Sequence, residues 1–462
     1  MAKRAVIMIV ASIYFWMPLS GKENLSKEKK ELFDAYKKLG RLLIKQYAFE
    51  EAMKHLENAI AIKNNDPHLL LSYANLLESL NKNEKALKVY KKILTLVPNS
   101  PDILFNIAMV FKKQKKIDKS LQAYKQALKR DPSAPHLHFG IATLYLTMGN
   151  FKEGWKEYEW RWKKKLKPRD YKKPRWDGSD LKGKTLLIHA EQGLGDTFQF
   201  IRYAKAAKAM GAYVIVAPQK PLVNILSLCP YIDEIIPFGQ EKDNFDVHAP
   251  LMSMPFLCNT TEETIPSKNA PYLHADQILI KEWATLLQKN KNFKIGICWH
   301  GSTGHKGPYW KRIIEARCIK LNMFKPISEI PGITLYSLQK ISGTEQVKNC
   351  TFKLHTFGST FDNQNGSFMD TSAVIKNLDL VITVDTSIAH LAGGLGAPTW
   401  VLLGNNSDWR WMLDRSDSPW YPTVKLFRQR EAENWTDVIK EVAHELRTLI
   451  IKKLTEKREN LW

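Results

Sequence analysis

Cysteine is scarce in this chain. Cys229, Cys258, Cys298, Cys318 and Cys350 stand scattered, with no Cys-x-x-Cys and no companion histidine cluster. That argues against a disulfide framework or a thiolate zinc site and favours a reducing compartment. Acidic side chains are also short, 47 against 69 lysines and arginines, which leaves a net charge of +22. Such an excess attracts phosphate, acidic glycan or anionic membrane. Lysine-rich solvated helix faces account for it equally well, and no nucleic-acid-binding motif accompanies it. No Asp-x-Asp occurs, so the usual carboxylate pair that bridges a metal to a diphosphate is missing. The apolar run at 5–19 is too short to span a bilayer comfortably. Lys3-Arg4 ahead of it resemble a signal-peptide n-region, but no clean cleavage site follows, and Lys22, Lys27, Lys29 and Lys30 put more positive charge behind the run than before it. That bias keeps the downstream chain in the cytoplasm. Residues 1–32 therefore read as an apolar leader or anchor of a cytoplasmic protein, with peripheral contact to the inner membrane face left open.

What is present is order at two scales. The 462 residues suffice for about three domains. Gly40, Ala74, Ala108 and Ala142 recur every 34 residues, as do Ala52, Ala86, Ser120 and Gly154, and Leu56, Tyr90, Tyr124 and Tyr158. Small residues let antiparallel helices approach, larger ones fill the gaps between pairs, and Pro98 and Pro132 stop helices. This pattern resembles the tetratricopeptide repeat. Four units, at 33–66, 67–100, 101–134 and 135–168, make a solenoid over 33–168, a surface for a protein partner. Trp155, Trp160, Arg161 and Trp162 at its end read as a docking seam.

After a polar, basic linker at 169–184 the pattern changes to strand-helix alternation, the mark of parallel sheets. A first domain is expected over 185–290, with strands at 185–189 and 213–217 and helices at 198–210 and 221–228. A second is expected over 291–462, with strands at 294–299 and 334–338, a helix-plus-strand at 371–384, a helix at 385–395 and a C-terminal helix. Each domain carries one strand-turn-helix signature: Leu186-Leu-Ile-His-Ala-Glu-Gln-Gly-Leu-Gly-Asp196 and Leu380-Val-Ile-Thr-Val-Asp-Thr-Ser-Ile-Ala-His390. A strand tip feeding a helix N-terminus is where α/β sheets bind anions. On local sequence Asp196 is either a helix cap or a base, with Glu191 and His189 beside it at the strand tip. Asp385 is likewise a cap or a ligand-facing group, and His390 a packed helix residue or a ligand. The segment His300-Gly-Ser-Thr-Gly-His-Lys306, with Lys311, Arg312 and Arg317 after it, suits diphosphate oxygens.

From Trp176-Asp-Gly onward the chain resembles the glycosyltransferases related to bacterial heptosyltransferases, glycosyltransferase family 9, in a version with N-terminal tetratricopeptide repeats. The matching segments are His189-Ala-Glu-Gln-Gly-Leu-Gly-Asp196, Tyr336-Ser-Leu-Gln-Lys340, Asp370-Thr-Ser-Ala373, Leu378-Asp-Leu-Val-Ile382, 385–396, Trp409-Arg-Trp411 and Ser418-Pro-Trp-Tyr-Pro422. The resemblance implies a GT-B unit, two Rossmann-like α/β domains facing across a cleft, with the acceptor on the first and a nucleotide-diphosphate-sugar on the second. It implies Asp196 as catalytic base, with Gln192, Gly193 and Gly195 as the acceptor-side turn. Lys306, Arg317, Gln339, Lys340, Asp385, Thr386, Ser387 and His390 are implied on the donor side. Arg317-Cys-Ile-Lys-Leu321 departs from the Arg-Ser-Ile-Pro-Leu of relatives, placing the Cys318 thiol where a hydroxyl could touch phosphate.

The chemistry of the residues agrees. A sugar hydroxyl is a poor nucleophile, and a positioned carboxylate can take its proton in the transition state. Helix N–H groups with Lys306, Lys311 or Arg317 can stabilise the leaving diphosphate. The expected reaction is inverting, needs no metal or cofactor, and uses a glycan, a lipid-linked glycan or a protein as acceptor. Two other readings remain: a protein O-glycosyltransferase with the polypeptide on the repeats, as in the O-linked N-acetylglucosamine transferase arrangement, and a repeat adaptor with a retired transferase domain.

Overall fold

The computed structural model describes residues 22–163, 171–241, 243–269, 271–302, 314–432 and 434–459. The leader at 1–21, Lys306, Lys311 and Arg312 lie outside the described residues. Two compact units divide the chain between Leu144 and Tyr145.

The first unit is helical. Its helices are α1 (Lys22–Lys45), α2 (Phe49–Ile62), α3 (Pro67–Ser79), α4 (Asn83–Leu96), α5 (Pro101–Lys113), α6 (Ile117–Arg130) and most of α7 (Pro135–Thr147). Residues 22–32, grouped with the leader on sequence, are thus helix. Proline opens α3, α5 and α7, where its missing N–H costs nothing. Asp66 and Ser100 cap α3 and α5 by accepting the N–H of Leu69 and Ile103. Ala52, Ala86, Tyr90, Ser120 and Tyr124 are fully buried, so the repeat positions are the packing positions. The turn inside each pair repeats too: Tyr47, Asn81 and Lys115 have φ of 63°, 57° and 57°, and Gly149 has 78°. All four are left-handed, yet only one is glycine.

The second unit starts with the end of α7 and with α8 (Phe151–Tyr158), which runs into a 3-10 turn at Glu159–Lys163. Two parallel sheets follow. The first has the order β3-β2-β1-β4, from β1 (Thr185–His189), β2 (Tyr213–Ala217), β3 (Glu234–Ile235) and β4 (Val247–Pro250). The linker is part of this sheet: Trp176 N–H donates to His248 O at 2.8 Å, and His248 N–H to Pro174 O at 3.1 Å. The β4 edge is thereby covered. Between β1 and β2 lie α9 (Leu194–Phe200) and α10 (Arg202–Ala209), two helices where the sequence pattern reads as one.

The second sheet has the order β6-β5-β7-β8-β9, from β5 (Phe293–Cys298), β6 (Ile333–Ser337), β7 (Leu380–Val384), β8 (Thr399–Leu403) and β9 (Val424–Arg428). Every residue of β7 and β8 is buried, as expected of central strands covered on both faces. Around them pack α11 (Gln277–Leu287), α12 (Met369–Ile375), α13 (Ser387–Gly394) and α14 (Trp435–Glu459), the last through Val438, Ile439, Val442, Ala443 and Leu446.

A lysine in the left-handed region costs about 1–2 kcal/mol, of which glycine returns all but the entropy of its looser unfolded state, about 0.5–1 kcal/mol. Lys115→Gly is therefore expected to raise the stability of the repeat unit by about 0.5–1 kcal/mol in a urea titration. An unchanged or lower midpoint would show that the turn stores no strain.

Candidate functional site

In both parallel sheets the strand order reverses at a switch point, and each signature turn starts beside it. In the first sheet that point lies between the paired strands β1 and β4; in the second, between β5 and β7. Such switch points open a crevice at the carboxyl ends of the strands. The chain leaving β1 turns at Gly193 into α9, and the chain leaving β7 turns at Thr386 into α13. These helices meet. A Cβ on Gly195 would stand 2.9 Å from Cδ2 of His390 and 3.5 Å from Cα of Ser387, so only glycine permits the approach.

Asp196 occupies the third position of α9. Its Oδ2 accepts the Gly193 N–H at 2.7 Å, and its Oδ1 binds Nη2 of Arg410, from the turn after β8. Gln192 accompanies it: its Nε2 donates to the Tyr158 hydroxyl at 3.0 Å, and its carbonyl accepts from Gln219 at 2.7 Å. The Asp196 side chain keeps 20% exposure, enough for a substrate to reach it.

Glu191 and His189 do not join Asp196. Glu191 is held by Arg161 at 3.1 and 2.9 Å and by the Met252 N–H at 2.8 Å, while burial pushes its carboxyl up against the pull of Arg161. Arg161 also binds Glu159 at 2.7 Å and Ser253 at 2.7 Å. His189 lies 3.3 Å from His248, whose pKa burial and Arg175 push down to about 4. The tryptophan seam of the last repeat is used inside this unit: the Trp155 ring packs edge-on against Trp409 at 5.3 Å and near Trp420 and Phe200. The last repeat helix is thus part of the wall around the Gly-Asp turn.

On the second sheet, Asp385 is buried at the tip of β7. Burial raises its pKa, opposed by Arg317 with Nη1 3.5 Å away and reinforced by Asp408. Thr386 caps α13 by accepting the Ile388 N–H at 3.2 Å, and Ser387 is its first residue. His390 is buried one turn on, its Nδ1 2.8 Å from the Tyr421 hydroxyl and its ring stacked on Trp411 at 5.3 Å. Burial, with Arg410 nearby, pushes its pKa down to about 3, so it is a neutral imidazole.

Gln339 turns inward. Its Oε1 accepts the N–H groups of Trp299 and His300 at 3.0 and 2.9 Å, and its Nε2 donates to His300 O and Ser342 O at 2.9 and 2.7 Å. It shapes the loop after β5 with the donors and acceptors assigned above to a ligand. Lys340 donates to Phe361 O at 2.6 Å. The Cys318 thiol accepts the Gly301 N–H at 3.3 Å, so it anchors the same loop. Arg161, placed above in the docking seam, holds Glu191, and Arg410, Asp408 and Tyr421 carry roles the sequence did not suggest; for Arg410 and Tyr421 the Trp409-Arg-Trp411 and Ser418–Pro422 segments were the available signal.

Two outcomes follow from this packing. Replacing Arg161 by Met strands the Glu191 carboxylate and is expected to cost about 3–5 kcal/mol, while Arg161→Met with Glu191→Met recovers most of it. A double variant as unstable as the single one would refute the ion-pair account. Because His248 and His390 are neutral in the fold but titrate near 6.5 when unfolded, the unfolded chain binds more protons below that pH. Stability is then expected to fall as pH drops from about 6.5 toward 4, read as a declining urea midpoint; a flat profile over that window would count against two buried neutral rings.

Tetratricopeptide-repeat family models match residues 43–110 and 101–134. Protein FlbA of Caulobacter vibrioides is 26% identical over 332 residues, covering 66% of this chain and 54% of the relative, so the chain spans about half the length of that protein. Among solved structures, a glycosyl transferase family 9 protein from Veillonella parvula DSM 2008 is 10% identical, with a TM-score of 0.42 over 55% of this chain and 88% of its own. YrrB, a tetratricopeptide-repeat protein with an unusual peptide-binding site, is 14% identical, with a TM-score of 0.28 over 35% of this chain and 79% of its own.

Proposed function

We propose that the second unit is a glycosyltransferase that moves a sugar from a nucleotide-diphosphate-sugar to an acceptor hydroxyl. The observation that carries this reading is the contact of the two switch-point turns, which sets Gly195, the neighbour of Asp196, against Ser387 and His390 in the first turns of α13. A diphosphate at Thr386 and Ser387 would meet the N-terminus of α13, with Arg317 alongside and Lys306 as a further donor-side cation implied by the resemblance. Asp196 would take the proton of the attacking hydroxyl from the opposite side. Neutral His390 would border the sugar as a hydrogen-bonding wall. Transfer in this arrangement is inverting and metal-independent, as the absence of Asp-x-Asp in the sequence leads one to expect.

Gln192, Gly193 and Gly195 shape the acceptor side. The acceptor is a glycan, a lipid-linked glycan or a protein, and the repeat unit supplies a surface for a polypeptide partner. Gln339 would act on the donor by holding the loop after β5, and Lys340, whose ammonium donates to the Phe361 carbonyl, would add positive charge on the donor side. A heptosyltransferase-like preference rests on the sequence resemblance alone.

Calorimetry with UDP, GDP, ADP and CMP, followed by release of nucleotide from the matching sugar conjugates, tests the reading. Asp196→Asn is expected to keep nucleotide affinity and lower turnover by about 10²–10⁴, whereas Asp385→Asn weakens nucleotide binding. Turnover should survive saturating EDTA. A chain that binds none of these nucleotides is an adaptor, and normal turnover by Asp196→Asn removes it as the base.

A further inference from the structure

Arg410 is buried and is paired with one carboxylate near it in sequence and one far from it. It lies in the 3-10 turn Trp409–Trp411, between β8 and β9 of the second sheet. Its Nη1 donates to Asp408 at 2.7 Å, and Asp408 also accepts the Arg410 backbone N–H at 3.1 Å. Its Nη2 reaches Asp196 on the first sheet, 214 residues away in sequence. The guanidinium carbon stands 4.2 Å from the Trp409 ring centroid and 5.9 Å from that of Phe200. Trp409 is fixed in turn by Trp155 at 5.3 Å and Tyr158 at 6.1 Å. The planar fork therefore has both arms and one face constrained, and a lysine could match the charge but not the geometry.

We infer that Arg410 is a positioning residue for Asp196, through which the donor-side sheet orients the carboxylate of the acceptor-side sheet. This rests on the transferase reading and adds to it. An ionised carboxylate has about four acceptor sites, and Arg410 and Gly193 occupy two, which leaves lone pairs for a substrate hydroxyl in a fixed direction. Asp408 sets the second arm of the fork and also acts electrostatically on Asp385. Alternating charges thus run from Asp196 through Arg410 to Asp408, ending beside Asp385 and Arg317. The base is held correctly only when both sheets stand in this relation.

Steady-state kinetics of the full chain, with the sugar nucleotide that it turns over, test this through a double-mutant cycle. Arg410→Lys is expected to keep nucleotide affinity within about twofold and lower turnover by about 10- to 100-fold, the scale of a misplaced reacting group. In an Asp196→Asn background the same change is expected to do nothing further, because it acts through the missing carboxylate. Asp408→Asn, which loosens one arm only, should give a smaller loss with the same non-additivity, and it serves if Arg410→Lys does not fold. Normal turnover by a folded Arg410→Lys, or losses that multiply with Asp196→Asn, would overturn the inference while leaving the transferase reading intact. A wild-type chain that releases nucleotide from none of the sugar conjugates would overturn both.

Discussion

Taking a guanidinium out of water is costly unless carboxylates, carbonyls or aromatic faces receive it, and the second unit is organised around three that are buried in this way. Arg161, Arg202 and Arg410 are all buried, and each reaches a segment remote in sequence. Arg161 ties the end of the repeats to the tip of β1 and to Ser253 beyond β4. Arg202 donates to the Trp420 carbonyl at 2.9 Å and sits 4.2 Å from the Tyr272 ring, fastening α10 to the segment before β9. Arg410 joins the two sheets at Asp196. Burial of these charges is costly, so their partners are fixed by necessity as much as by preference.

The site inherits its order from that constraint. Strand polarity and the reversal of strand order put two helix N-termini at two crevices. Nothing in that geometry alone brings the crevices together. Gly195 allows the contact with His390, while the arginines and the aromatic packing of Trp155, Trp409, Trp411 and Trp420 keep it. The neutral state of His390 belongs to the same account, since a charged ring there would lie close to Arg410 in a dry environment.

Much of this was legible in the chain because it is written locally. The 34-residue register gives repeat helices whose small positions are buried, and strand ends read from apolar runs fall within one residue of those in the fold at β1, β2, β5 and β6. The Gly-Asp turn and the Asp385 turn stand out because glycine, cap and strand tip are consecutive. What escaped is what depends on distant partners. Glu191 and His189 look like bases beside Asp196 until Arg161 and His248 claim them. Gln339 looks like a ligand contact until the backbone around Trp299 and His300 saturates it. The tryptophans of the last repeat read as a docking seam, but no local pattern says that the other side lies more than 240 residues on, at Trp409.

The division between the units inside α7, rather than at the linker, bears on how such a chain could change length. Each repeat rests mainly on its neighbours. The repeat helix that the site requires, α8, is already counted with the sheets. Whole 34-residue modules ahead of residue 145 could therefore be gained, lost or exchanged, while the two sheets keep the terminal repeat helix that packs within their own unit.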